Sequence, residues 1–181
     1  MKNILIVPLL LITFISGSNG ENILKDDFTN ENEWTYIADN VMGGISDGGV
    51  EFNLVDSNVY ALLSGHVSTE NNGGFIQIRR ELKNIDLSKA KSIRVYARGN
   101  NEKYYIFLRT TGTILPWQYY SHEFTVNEEY NEFIMPIKDF KKSGTLLAKQ
   151  VNPKKITSVA IVAYGRDHVA EIYVKELEFI E

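Results

Sequence analysis

The sequence contains no cysteine. No disulfide can constrain the unfolded chain, so stability must come from packing. A cysteine nucleophile is excluded, and so is a lipid anchored through an N-terminal cysteine. Histidine is scarce: only His66, His122 and His168 occur, and their separations give no local metal-ligand motif. No glycine-rich loop leads into a helix to cradle a phosphate. No stretch of a dozen residues keeps a helical stripe. Positive charge is in the minority, 19 Lys and Arg against 23 Asp and Glu, net −4. That balance argues against nucleic-acid binding, which needs concentrated positive charge.

The one uninterrupted apolar run, Ile4 to Ile15, follows Lys2 and precedes Ser16-Gly17-Ser18-Asn19-Gly20. It is short of the about 20 residues of a membrane span. The order of basic, apolar and small-residue regions predicts a signal peptide over 1–20, cut after Gly20. The mature chain, 21–181, is then expected in the periplasm or outside the cell, without stable membrane insertion. It carries 18 basic against 23 acidic side chains, net −5, and is long enough for one domain with a real core.

Ten tyrosines and nine phenylalanines favour strands. Alternation with a period of two marks Val50–Leu54, Phe75–Arg79, Ser92–Arg98 and Tyr104–Thr110. Further strands are expected around Trp34–Ile37, Tyr60–Ser64, Tyr119–Val126, Glu132–Met135, Ile156–Ala163 and Val169–Phe179. The last shifts phase between Val174 and Leu177, and a bulge at Lys175-Glu176 would return both to one face. Asp56-Ser57-Asn58 and Gly99-Asn100-Asn101 read as turns, and Leu82–Leu87 as an irregular crossing. Many short strands separated by turns predict an all-β, antiparallel sandwich or barrel.

Two glycine-containing segments interrupt this pattern: Asp39-Asn40-Val41-Met42-Gly43-Gly44-Ile45-Ser46-Asp47-Gly48, and Gly65 to Phe75, which holds Ser68, Glu70, Asn71, Asn72, Gly73 and Gly74. Together with Trp34, these two blocks resemble the complex I intermediate-associated protein 30 family. Arg98-Gly99, Leu108-Arg109-Thr110, Trp117 to Tyr120, the strand ending at Pro136 and Asp139-Phe140 extend the likeness over 24–181. The resemblance implies a galactose-binding-domain-like β-sandwich of jelly-roll type. It also implies kinship with assembly factors of respiratory complex I, a role an exported chain does not share directly. The sequence departs from the family in having Gly99-Asn100-Asn101 for Gly-Asp-Gly, and Tyr173 and Lys175 at the positions nearest to those where the family's last strand carries an acidic pair. It also lacks a Gly-Trp before the strand that ends at Pro136.

Asp39, Asn40, Ser46 and Asp47 supply oxygen atoms that suit Ca²⁺, with Asp39 and Asp47 as its carboxylates. The Asn40-x-x-Gly43-Gly44 spacing favours instead a loop locked by side-chain hydrogen bonds. Asp39 or Asn40 is then expected against the Ser68–Gly73 loop. Ser68, Glu70, Asn71 and Asn72, beside an aromatic such as Trp117 or Tyr119, suit sugar hydroxyls and a sugar C–H face. The blander reading makes Trp34 and Phe75 core residues and the polar groups strand caps. Arg79, Arg94, Arg98 and Arg109 offer a ladder for an anionic sugar, or surface pairs with Glu81, Glu102 and Glu123, which the sequence favours. A carboxylate pair for glycoside hydrolysis can be drawn from Asp39, Asp47, Glu70 and Glu123, at a separation sequence does not set.

The reading is a non-catalytic exported binding domain that needs no cofactor. Its partner is an unidentified envelope protein, engaged in interaction or assembly, or alternatively a neutral or acidic glycan. An aromatic platform beside Asn71-Asn72 favours the glycan; a flat apolar surface around Ile45 and Phe75 favours the protein.

Overall fold

The computed structural model describes residues 22–55 and 58–181. The signal peptide expected over 1–20 lies outside the described residues, as do 56–57 of the expected turn. Twelve strands follow in order: β1 (Asn22–Asp26), β2 (Trp34–Ala38), β3 (Asp47–Val55), β4 (Asn58–Val67), β5 (Phe75–Glu81), β6 (Ser92–Gly99), β7 (Lys103–Thr110), β8 (Tyr120–Thr125), β9 (Asn131–Pro136), β10 (Lys141–Lys142), β11 (Ile156–Tyr164) and β12 (His168–Ile180). They form two antiparallel sheets. The first runs β3-β4-β12-β6-β9, with β1 also against β12; the second runs β10-β8-β7-β11-β5-β2. The architecture is an all-β, jelly-roll-like sandwich of the galactose-binding type.

Alternation explains the core. In β7, Tyr104, Ile106 and Leu108 point inward. Their β11 neighbours Ile161 and Val159, in register with Ile106 and Leu108, do the same. From β5, Ile76 and Ile78 join them. The facing sheet contributes Ala61 and Leu63 of β4, Ile93, Val95 and Ala97 of β6, and Ile172, Val174, Leu177 and Phe179 of β12. Val174 and Leu177 are both buried although three residues apart. The β6–β12 register slips between Val174 and Glu176, which is the bulge the phase shift predicts.

One end of the sandwich is closed by Asp26. Its carboxylate accepts from Phe28 N at 2.8 Å and Trp34 Nε1 at 2.9 Å, and pairs with Arg80. Trp34 is a core residue, as expected, with its ring 5.0 Å from that of Phe28. Phe75 is not: Ile76 and Ile78 take the inward positions, so Phe75 falls on the outer face of the second sheet, half-buried.

Candidate functional site

Asp39 begins a 3-10 turn, Asp39–Met42, between β2 and β3, and is fully buried. Its Oδ1 accepts from Ser46 N at 3.0 Å. Its Oδ2 accepts from Ser46 Oγ at 2.5 Å, Gly74 N at 2.5 Å and Phe75 N at 3.2 Å. Ser46 Oγ continues the chain, accepting from Ser68 N at 2.9 Å. The two glycine-containing segments are thus bolted together through one carboxylate. Burial alone pushes the Asp39 carboxyl upward. The hydrogen bonds from Ser46, Gly74 and Phe75 outweigh it and hold the pKa below the ordinary aspartate value.

This arrangement supports the locked loop over the calcium alternative. Both Asp39 oxygens are occupied by protein donors. Asp47 is exposed, with His66 Nδ1 at 3.5 Å from its carboxylate. Asn40 is exposed. Among the described residues no group of three or more His, Asp or Glu side chains is disposed to hold a metal ion. A buried, saturated Asp39 is equally unsuited to acid–base work. The glycines fit the lock: Gly43 has φ +90°, and a Cβ on Gly44 or Gly73 would overlap the Asp39 carboxyl group. Asn71 and Asn72, both exposed, adopt positive φ of 55° and 59°. Glu70 is exposed, and its amide donates to Ser68 Oγ at 3.3 Å.

The second feature is the outer face of the second sheet. With Tyr104, Ile106 and Leu108 inward, Tyr105 and Phe107 turn outward. Tyr119 stacks on Phe107 with ring centroids 3.9 Å apart and planes 8° from parallel. Tyr164 stands edge-on to Phe107, Tyr105 and Tyr119 at 5.5, 5.8 and 6.1 Å. These four rings lie over the small outward residues of β11, Ala160 and Val162, which are buried beneath them. Gln77 and Arg79 border the layer on β5, and Glu123 on β8. Tyr105 Oη donates to Glu123 at 2.8 Å. Burial, reinforced by that carboxylate, pushes the Tyr105 hydroxyl up to about 12. Burial also raises Tyr119, with Tyr164 adding to it.

The face meets the first lock at one end. Tyr164 is in register with Phe75, and Gly165 N donates to Gly74 O at 2.8 Å. Thr69 is clipped to Asp167 by two 2.7 Å hydrogen bonds. The Ser68–Gly74 loop therefore borders the aromatic layer at its Tyr164 end. Trp117 does not sit beside Asn71 and Asn72. It lies in the β7–β8 connection, at the opposite end of the sheet, since β5 and β7 run in the same direction on either side of β11. There it is exposed, two residues before Tyr119.

The chain matches the family described as Complex I intermediate-associated protein 30 over residues 24–171. It belongs to that family. The matched range includes the two glycine-containing blocks that the Asp39 lock joins. No curated protein sequence matches the chain. Among solved structures it is similar to a family 11 carbohydrate-binding module of a cellulosomal cellulase of Clostridium thermocellum. That match has TM-score 0.71 and 12% identity, covering 92% of this chain and 97% of that one. A family 11 module from the same organism, in complex with a β-1,3-1,4-mixed-linked tetrasaccharide, matches with TM-score 0.69 and 14% identity, over 86% and 92% of the two chains. A family 30 carbohydrate-binding module follows at TM-score 0.52 and 11% identity, over 75% and 92%. At these identities the likeness is one of fold.

The arginines do not form one ladder in this member of the family. Arg79 and Arg109 lie on the outer face of the second sheet, Arg94 and Arg98 on that of the first. Two of the four pair with carboxylates: Arg79 with Glu81 at 3.5 Å, as the blander reading expects, and Arg94 with Glu178 and Glu132; Glu102 pairs instead with Arg166, and Glu123 with Lys103. Arg109 is an anchor, donating from Nη2 to Thr113 O at 3.0 Å and Leu115 O at 3.1 Å. Gly99-Asn100-Asn101 is a structural turn: Asn100 donates to Val169 O at 2.8 Å and accepts from Tyr104 Oη at 2.8 Å. Tyr105, Phe107 and Tyr164 were not among the sequence candidates, although aromatic residues at outward positions of β7 carried the signal.

Proposed function

We propose that the chain is a non-catalytic saccharide-binding module whose ligand lies across the outer face of the second sheet. The observation that carries this reading is the four-ring layer of Tyr105, Phe107, Tyr119 and Tyr164 on a solvent-facing sheet. Such a layer offers apolar surface for sugar C–H faces, and Gln77, Arg79 and Glu123 at its border offer directional hydrogen bonds. The similar carbohydrate-binding modules support the reading, since they share the sandwich that presents this face. Calorimetric titration with neutral oligosaccharides tests it, beginning with the β-1,3-1,4-linked tetrasaccharide. Binding that Phe107→Ala weakens at least about tenfold, the effect of roughly one stacked ring, is the expected result. No heat with any neutral saccharide overturns the reading.

A second reading has one observation in its favour. Val41, Met42 and Ile45 are 71, 54 and 51% exposed on the loop that Asp39 holds rigid. A rigid apolar tip suits a protein partner, in keeping with an assembly role in the cell envelope. Replacing all three by Ser should abolish capture of such a partner and leave saccharide binding intact. In both readings we place mature residues 21–181 outside the cytoplasm, on the strength of Lys2 and the Ile4–Ile15 run. N-terminal sequencing of host-made protein should start near Glu21; an intact Met1 start counts against export.

A further inference from the structure

The outer face of the first sheet carries a different kind of cluster. Arg98 of β6 is in register with Tyr173 of β12. The β6–β9 register places Tyr130, just before β9, on its other side. The Arg98 guanidinium carbon lies 3.9 Å from the Tyr173 ring centroid and 5.4 Å from that of Tyr130. Tyr60 packs on Tyr173 at 5.6 Å, and Tyr96 on Tyr130 at 5.2 Å. Lys175 Nζ sits 4.3 Å from the Tyr130 ring. Lys175 occupies the β12 bulge, the extra position that aims a side chain out of the regular alternation.

Two cations thus share one aromatic ring in a chain that is acidic as a whole. Among the described residues neither has a carboxylate partner, and the acids bordering the cluster are engaged elsewhere. Glu132 pairs with Arg94, Glu176 with Lys25, and Glu171 accepts from Tyr173 Oη. Cation–π contacts stabilise such charges only modestly, and like charges side by side on a sheet repel. An arriving anion would relieve that repulsion. Beside the cluster opens a cavity of about 320 Å³ lined by Lys25, Asp27, Thr29, Val59, Tyr96, Lys175 and Glu176. Tyr96 and Lys175 belong to both, so cavity and cluster are continuous.

We propose that this surface is a second binding site, independent of the aromatic layer on the opposite sheet, for an acidic oligosaccharide of the uronate class. Carboxylates spaced along the glycan engage Arg98 and Lys175. Tyr96, Tyr130 and Tyr173 supply ring faces and hydroxyls, and one sugar ring enters the polar cavity. A saccharide fits better than an acidic peptide because the cations are set among tyrosines beside a small polar recess rather than along a basic stripe.

The test is titration of the full protein with a galacturonate hexamer, with a polyglutamate of equal charge for comparison. The hexamer should bind, and added salt should weaken it. Arg98→Gln and Lys175→Gln should each weaken it about tenfold, while Phe107→Ala on the other sheet should leave it unchanged. Arg98→Lys, which keeps the charge but not the fork, serves should the Gln variant not fold. In the unaltered protein the ring protons of Tyr96 and Tyr130 should shift on titration. Absence of hexamer binding overturns the proposal, as does binding that neither substitution weakens. Loss of binding in Phe107→Ala moves the acidic ligand to the second sheet and leaves only the first reading standing. Equal affinity for polyglutamate overturns the saccharide assignment in favour of acidic peptides.

Discussion

The carboxylate of Asp39 accepts the amide hydrogen of Gly74, 35 residues along the chain, at 2.5 Å. With Ser46 and Phe75 it makes one buried side chain the joint between the β2–β3 and β4–β5 connections. Asp39→Ala leaves the Gly74 and Phe75 amides without that acceptor. The expected cost is about 2–4 kcal/mol, from several lost hydrogen bonds to one charged group. Urea unfolding measures it, and excess calcium should not restore the loss. A variant with an unchanged urea midpoint would show that the lock is dispensable. Calcium that raises the melting temperature of the unaltered protein but not of the variant would restore the metal reading.

The same carboxylate sets a pH dependence. Its folded-state pKa lies below the ordinary aspartate value. Its contribution to stability is therefore complete above that value, about 3.9, and is lost as pH falls through the lower folded-state value. Below about pH 4, Asp39→Asn should lose less stability than the unaltered protein for the same drop in pH. Parallel acid limbs in the two unfolding curves would assign the sensitivity to other carboxylates.

Gly43, Gly44 and Gly73 should rank by mechanism. Gly43 has φ +90° but open space, so Ala there costs about 1 kcal/mol of backbone strain. At Gly44 and Gly73 a methyl group overlaps Asp39 itself, and about 2–3 kcal/mol is expected as the carboxylate is displaced from its donors. Thermal melting of the three single variants reads the order. A Gly43 variant worse than the other two would mean that the turn, not the Asp39 contact, limits stability.

Arg109→Ala should release the Thr111–Gln118 connection, whose carbonyls at Thr113 and Leu115 it holds. A loss of about 1–2 kcal/mol and faster proteolytic cutting within the connection are expected. Saccharide affinity should fall only through the freedom gained by Trp117 and Tyr119. Lost affinity with unchanged proteolysis would make Arg109 a direct ligand contact instead.

How much of this was legible in sequence depends on whether a signal is periodic. The β12 bulge was legible, because Val174 and Leu177 cannot both face a core without an extra residue between them. The outward positions of Tyr105 and Phe107 follow from the same alternation that buries Tyr104, Ile106 and Leu108. Pairings across the sandwich left no such trace. Alternation through Ile76 and Ile78 sets Arg79 on the outer face and Arg80 inward, but nothing in the sequence indicates that Arg80 pairs with Asp26. The two-residue strand Lys141-Lys142 is too short to carry a pattern and is recruited by pairing with β8. Asp39 and the glycine pairs advertised a locked loop, but that Gly74 and Phe75 supply its amides is a fact of tertiary contact.

Asn22 of β1 is the register partner of Ile180 in β12. In connectivity the sandwich is close to a closed ring, because its first and last strands already lie edge to edge. A short linker from residue 181 to residue 22, with a new opening in the exposed β10–β11 connection, should leave every strand pairing in place. The same closeness of the ends lets the fold sit as a side bead on a longer polypeptide, adding a binding surface while scarcely lengthening the span between its neighbours.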